Sequence, residues 1–209
     1  MTRIIAGSAG GRRIATPSGD GTRPTSDRVR EAIFSRLDHL DVLDGGAVLD
    51  LYAGSGALGL EAVSRGARSA VLVESHRSAA ACARRNAADL GMRTVRVRPE
   101  PVERVVAARA GEPVDVVLID PPYAVGEEAL AGVLAGLVDN GWLLDRAVVV
   151  VERSSRTPEP TWPAALEPVA HKAYGETVVW YAEHRPDAGL GADDAGPGAD
   201  VAADAEGQR

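Results

Sequence analysis

Between Ala47 and Arg153 the chain alternates short apolar runs with stretches of helical period: "AVLDLYAG", "ALGLEAVSRG", "SAVLVES", "RSAAACARRNAADLG", "TVRVRPE", "PVERVVAARAG", "VDVVLIDPP", then "EEALAGVLAGLVDNG" and "RAVVVVER". This order predicts successive βα units, which close into a mostly parallel sheet with helices on its faces. Runs such as "VDVVLI" are apolar at nearly every position, as expected of strands covered on both sides. Gly66 and Gly91 stand where helix C-caps are expected.

The flanks differ from this core. "RIIAG" (Arg3–Gly7) and "RRIAT" (Arg12–Thr16) around the turn "SAGG" read as a small β-hairpin. Ser26 or Asp27 can then cap a helix whose apolar residues Val29, Ala32, Ile33, Leu37 and Leu40 recur at helical spacing, with Arg28, Arg30 and Glu31 expected on the opposite face. "EPVAHKAYG" and "ETVVWYAEH" predict a final antiparallel hairpin turning near Gly175. The expected organisation is an N-terminal hairpin extension at 1–25, the main domain at 26–184 and a disordered acidic tail at 185–209, whose few sizeable apolar residues cannot offset the entropy of ordering.

A length of 209 residues suits one such domain, and 45% hydrophobic with 25% charged residues suits a soluble one. No run approaches the roughly 20 apolar residues of a membrane span, and "MTRIIAGSAGGRR" lacks a signal-peptide core, so the expectation is a cytoplasmic protein. Cys82 is the single cysteine and there are four histidines, so no disulfide or metal site is expected; Cys82 reads as a small apolar helix residue. The net charge of −7 is unevenly spread. Residues 1–40 carry seven arginines against four acids and residues 182–209 two arginines against seven acids. A basic N-terminus is compatible with a phosphate-bearing partner.

"DLYAGSGALGLEA" puts Asp50 at a strand end and Gly54, Gly56 and Gly59 in the turn into a helix. Glycines let a ligand lie against the main chain, and the N–H groups of the helix start can meet an anion. The spacing fits both a dinucleotide and S-adenosylmethionine. Asp50 separates them, because a carboxylate repels a pyrophosphate but attracts the methionine ammonium; Glu74, ending the next strand, can accept from ribose hydroxyls in either case. Tyr52, Ala53, Ser55 and Ser75 complete the candidate cofactor lining.

The run "VVLIDPPYAVG" ends on Asp120, Pro121, Pro122 and Tyr123. In an open α/β sheet this end opens beside the glycine loop. An exocyclic amine delocalises its lone pair into the base and is a poor nucleophile. The Asp120 carboxylate and the Pro121 carbonyl could each accept one amine N–H, prolines fix the backbone, and the Tyr123 ring offers a stacking face. The strand ending alone does not choose among adenine, cytosine, guanine or a protein amide.

Taken as a set, these motifs resemble S-adenosylmethionine-dependent amine methyltransferases, and "RIIAG", "GRRIATP", "TRPTSDRVREAIFSRL", "DLYAGSGALGLEAVSRGA", "DPPY" and "NGWL" together resemble the RsmD family of 16S rRNA guanine-N2 methyltransferases, from about Arg3 to Tyr181. The resemblance implies a Rossmann-like class I methyltransferase fold: a seven-stranded mostly parallel sheet with an antiparallel C-terminal hairpin strand and the N-terminal hairpin. It implies that Arg23, Pro24, Thr25 and Arg28 lie over the cofactor pocket, Thr25 and Arg28 touching the cofactor. It further implies that Arg3, Arg12, Arg13 and Arg23 approach 16S rRNA within the 30S subunit or an assembly intermediate, with the chain acting as a monomer and the target base extruded. One departure stands out. Where the family carries Asp or Asn near the cofactor adenine, this chain has Pro101, which leaves Glu100 or the Val102 backbone for that contact. Competing expectations are a DNA or protein amine methyltransferase, a non-catalytic RNA-binding assembly factor on the same fold, and an NAD-dependent dehydrogenase, which would leave "DPPY" unexplained.

Overall fold

The computed structural model describes residues 2–17 and 26–186. The expectations for Arg23, Pro24, Thr25 and the tail beyond 186 lie outside the described residues. Strands β3 (Ala47–Leu51), β4 (Ser69–Val73), β5 (Val95–Arg98), β6 (Val114–Ile119) and β7 (Leu143–Ser154) run parallel, and β8 (Leu166–Tyr174) and β9 (Thr177–His184) form the closing hairpin. The sheet order is β5-β4-β3-β6-β7-β9-β8, with β9 antiparallel to both its neighbours. Gly175 makes the turn with φ 62°, as its place in the sequence predicts.

Alternate residues of the central strands feed two cores. Val116 and Leu118 of β6 face α1 (Asp27–His39), α2 (Ala57–Ser64) and α3 (Arg77–Leu90). Val117 and Ile119 face α4 (Val102–Val106) and α5 (Glu127–Asp139). All four side chains are at most 1% exposed, and each is worth roughly 1.5–3 kcal/mol of hydrophobic burial. This is the double coverage that an uninterrupted apolar run requires. Because the chain runs outward from β3 to β5 and then returns to β6 on the other side, the direction reverses between β3 and β6. A crevice opens at their carboxyl ends.

The N-terminal hairpin is shorter than its sequence arms, with β1 at Thr2–Arg3 and β2 at Arg13–Ile14. The reason lies in α2. The N–H groups of Ile5 and Ala6 donate to the Glu61 carboxylate at 2.6 and 3.0 Å instead of extending the ladder, and Ala9 N–H donates to Ser64 Oγ at 2.9 Å. Gly7 passes so close to α2 that a Cβ there would lie 1.8 Å from the Ser64 carbonyl oxygen. Ile4 and Ile14 are buried in the first core.

In α1, Ser26 Oγ accepts from Val29 N–H at 3.3 Å, the cap foreseen from the sequence. Two details of the helix differ. Arg30 is not on the outer face but 1% exposed, its guanidinium donating to the Arg3 carbonyl at 2.8 Å and to Asp27 at 2.7 Å. Leu40 is 39% exposed and Phe34 is fully buried, since the inward stripe follows 30, 33, 34 and 37 and the helix ends before Leu40 can join it. Cys82 is a buried helix residue. Among the described residues, no helix is long and apolar enough to cross a membrane.

Candidate active site

Sheet register brings the two loops together. Leu51 pairs with Ile119, so the next residues, Tyr52 of the glycine loop and Asp120 of the "DPPY" loop, leave adjacent strands side by side. Tyr52 breaks the strand with φ 61°, a conformation that costs a non-glycine residue about 1–3 kcal/mol. Its hydroxyl donates to Glu103 Oε1 at 3.0 Å, and burial, reinforced by that carboxylate, holds the phenol above its ordinary pKa.

The glycines do different work. Gly54 has φ 57°, and a Cβ there would meet nothing within 4 Å, so the main chain faces open space. At Gly59 a Cβ would lie 2.2 Å from Leu72 and 3.1 Å from Asp50, so that glycine lets α2 close onto the strands. Gly59 N–H donates to Asp50 Oδ2 at 2.8 Å, and Gly54 N–H to Glu74 Oε2 at 2.8 Å. Glu74 Oε1 also accepts from His76 N–H at 2.7 Å, which fixes the second strand end with respect to the loop.

Asp50 is 1% exposed and its other oxygen, Oδ1, has no hydrogen-bond partner. Burial pushes its pKa up to about 7; the Gly59 N–H opposes this, and the charges of Asp120 and Glu74 add to it. Three carboxylates thus converge on one crevice. A buried acceptor left unmade costs free energy, so this site favours a cationic donor. An ammonium group against Asp50, with its ligand lying along the bare Gly54 main chain, fits these residues; a pyrophosphate does not.

At the end of β6, Asp120 and Pro121 are partly buried and Tyr123 is 77% exposed. Val125 N–H donates to the Pro122 carbonyl at 2.9 Å, making a tight turn that presents the Tyr123 ring to solvent. An exposed ring on a fixed turn can receive a flat base. Beyond β5, Glu100 is engaged by Arg98 at 3.0 Å and Pro101 caps α4, whose first residue Val102 is buried. Ala53 and Ser55 lie partly buried in the loop and Ser75 is exposed at its rim.

The predicted arginines divide. Arg3 pairs with Asp27 at 3.3 Å, and Arg12 donates to the Leu90 carbonyl at 3.3 Å and to the Asp89 carbonyl at the end of α3. Arg13 and Arg28 are exposed.

Two supporting residues give no sequence signal. Asn86 sits mid-helix in an alanine-rich segment, yet its amide donates to the carbonyls of Ser55 and Ala15, both at 2.9 Å, and its oxygen accepts from Ala15 N–H at 2.9 Å. It ties the glycine loop to the N-terminal segment. Arg153, at the end of "RAVVVVER", is 7% exposed, donates to the Val125 carbonyl at 3.0 Å and pairs with Glu127, so it anchors the loop that follows Tyr123.

A family model described as Conserved hypothetical protein 95 matches residues 2–183. The Ribosomal RNA small subunit methyltransferase D of Escherichia coli (strain K12) is 41% identical over 176 residues, which cover 84% of this chain and 86% of that protein. Among solved structures, the E. coli methyltransferase yhhF superposes with a TM-score of 0.79 at 37% identity, over 88% of this chain and 98% of its own. An RNA methyltransferase from Salinibacter ruber, solved in complex with S-adenosyl-L-homocysteine, shares the fold at 18% identity with a TM-score of 0.59, over 78% of this chain and 94% of its own.

Proposed function

We propose, because this chain belongs to the RsmD family, that it transfers a methyl group from S-adenosylmethionine to the exocyclic N2 amine of a guanine in the 16S rRNA of the small ribosomal subunit. The observation that carries this reading is the juxtaposition of the buried, half-partnered Asp50 carboxylate with the Asp120–Tyr123 loop at one crevice. The target class comes from kinship with the rRNA methyltransferases. The substrate is rRNA within the 30S subunit or its precursor, the enzyme acts as a monomer, and it works in the cytoplasm, where ribosomes are assembled.

When bound, S-adenosylmethionine supplies an electrophilic methyl group. Asp50 holds the methionine ammonium, Ala53 to Gly56 line the methionine portion, Glu74 and Ser75 take the ribose, and Glu100 with the Val102 backbone borders the adenine. Asp120 and the Pro121 carbonyl each accept one N–H of the amine, which localises its lone pair; Pro122 keeps both acceptors in place and Tyr123 stacks on the base. Alignment is the main source of acceleration, since oriented reactants reach effective molarities of roughly 10⁵–10⁸ M. The proton lost by the amine passes to Asp120 and then to water. Arg3, Arg13 and Arg23 meet the RNA backbone, and Thr25 and Arg28 close over the cofactor.

Asp120→Ala separates chemistry from architecture. Label transfer to RNA should fall about 10²- to 10³-fold, the scale of losing one preorganised hydrogen-bonding group at a reacting centre. The affinity for S-adenosylhomocysteine measured by calorimetry should stay within about threefold, because Asp120 contacts the amine and not the cofactor. Equal loss of both would make Asp120 structural and remove the main support of the reading.

A further inference from the structure

The segment 84–98, "RRNAADLGMRTVRVR", holds five arginines and one acid in a chain of net charge −7. It builds the C-terminal half of α3 and the open edge strand β5. Resting on the rRNA reading above, we infer that this edge is a second contact surface for the phosphate backbone of the RNA substrate.

The geometry favours an anion. Arg84 and Arg93 line a groove of about 590 Å³ whose floor includes Ala87, Met92, Val95 and Val97. No acid lines it. Arg84 leans over the edge and donates to the Val97 carbonyl at 3.2 Å; Arg93 is exposed beside the groove, and Arg96, between the groove-lining Val95 and Val97, is exposed on the other face of the same edge strand. Among the described residues, Arg84, Arg85, Arg93 and Arg96 form no ion pair; outside this edge Arg65, Arg68, Arg146 and Arg185 each hold a carboxylate, while Arg28, Arg36, Arg77 and Arg109 form no ion pair either but are scattered over α1, the start of α3 and the segment after α4. Arg98 is partnered by Glu100 and so does not join the stripe. The contacts of Arg12 with the carbonyls of Asp89 and Leu90 bring the N-terminal hairpin, and with it the exposed Arg13, to the end of α3.

A run of like charges along one edge attracts an anion that can bridge them, and phosphate oxygens suit the forked guanidinium donors. The strand order places β5 three positions from β6, about 14 Å across the sheet at the usual spacing, and the register sets Val95 level with Val116, four residues or about 13 Å before Asp120. The two offsets combine to roughly 20 Å, some six nucleotides along one strand, so an RNA with its base at Tyr123 reaches the groove by running along the open edge. The rival account is that the arginines only shield an exposed sheet edge from pairing with another chain.

A triple variant, Arg84→Gln, Arg93→Gln and Arg96→Gln, decides between them in the full-length protein. Binding to 16S rRNA and to small subunits from cells lacking the enzyme is measured across a salt series, together with methyl-transfer kinetics, S-adenosylhomocysteine affinity and sedimentation. The slope of log K against log salt should fall by about two to three, at roughly 0.7–0.9 per phosphate contact. KM should rise about tenfold or more, with kcat and cofactor affinity unchanged. Arginine-to-lysine replacement at the same positions should retain the slope, and Arg93→Glu alone, in an exposed loop, should weaken binding without altering the melting temperature. An unchanged slope and KM, with or without self-association of the triple variant, would overturn the inference. Absence of any label transfer by the wild-type enzyme would instead defeat the functional reading, and the salt series would still judge the surface.

Discussion

Asp50 shows how much a single residue can carry. Its Oδ2 holds the helix start at Gly59, and its Oδ1 is buried without a partner. With a pKa raised by burial to about 7, the carboxyl is mostly protonated below neutrality when no cation is present. The sign follows. A raised carboxyl pKa gives stability that is fully present below the ordinary value near 4 and is lost as pH rises through about 7. Binding an ammonium requires the charged form, so cofactor binding releases a proton. Affinity for S-adenosylhomocysteine should therefore increase up to about tenfold per pH unit below 7 and level off above it. Calorimetry between pH 5.5 and 8.5 in buffers of different ionisation enthalpy measures both slope and proton release. Asp50→Asn should abolish both, and a flat wild-type profile would show that Asp50 does not face the ammonium.

At the scale of elements, the site depends on contacts between segments far apart in sequence. The hairpin β1–β2 is held by Glu61 of α2, which is fully buried and also pairs with Arg65 at 2.7 Å. Removing a partner of a buried pair costs about 3–5 kcal/mol. At the usual scaling for a chain of this size, Glu61→Ala should lower the melting temperature by roughly 10 °C, with Glu61→Gln recovering part of the loss through its remaining acceptor. A thermal melt that is unchanged would contradict the latch. The βα units were legible from the sequence because apolar period is a local signal. Glu61, Asn86 and Arg30 were not, since each reads as a solvated helix residue until a distant backbone supplies its partner: Ile5 and Ala6, Ala15 and Ser55, and Arg3 respectively. The same limit hid Arg153, whose partners Val125 and Glu127 lie across the sheet end.

For the whole molecule, the placement of the candidate site was legible in advance, because Asp50, Gly54, Glu74 and Asp120 occupy strand ends or turns that the fold brings together. Their hydrogen bonds were not visible. Glu74, expected only to face ribose, also clamps Gly54 and His76, and Arg12, expected only to face RNA, ties the hairpin to α3. Composition misled more: a net charge of −7 argues against nucleic acid, yet Arg84, Arg85, Arg93 and Arg96 stand together at one sheet edge with no ion pair among the described residues. On the reading proposed above, methyl transfer to a structured RNA engages Asp50, the Asp120–Pro121 acceptors and the basic edge together. The direct test is transfer of labelled methyl from S-adenosylmethionine to small subunits from cells lacking this enzyme, followed by digestion and identification of the labelled nucleoside. The account predicts N2-methylguanosine at a single 16S rRNA position; N6-methyladenosine, or no label in RNA, would contradict it.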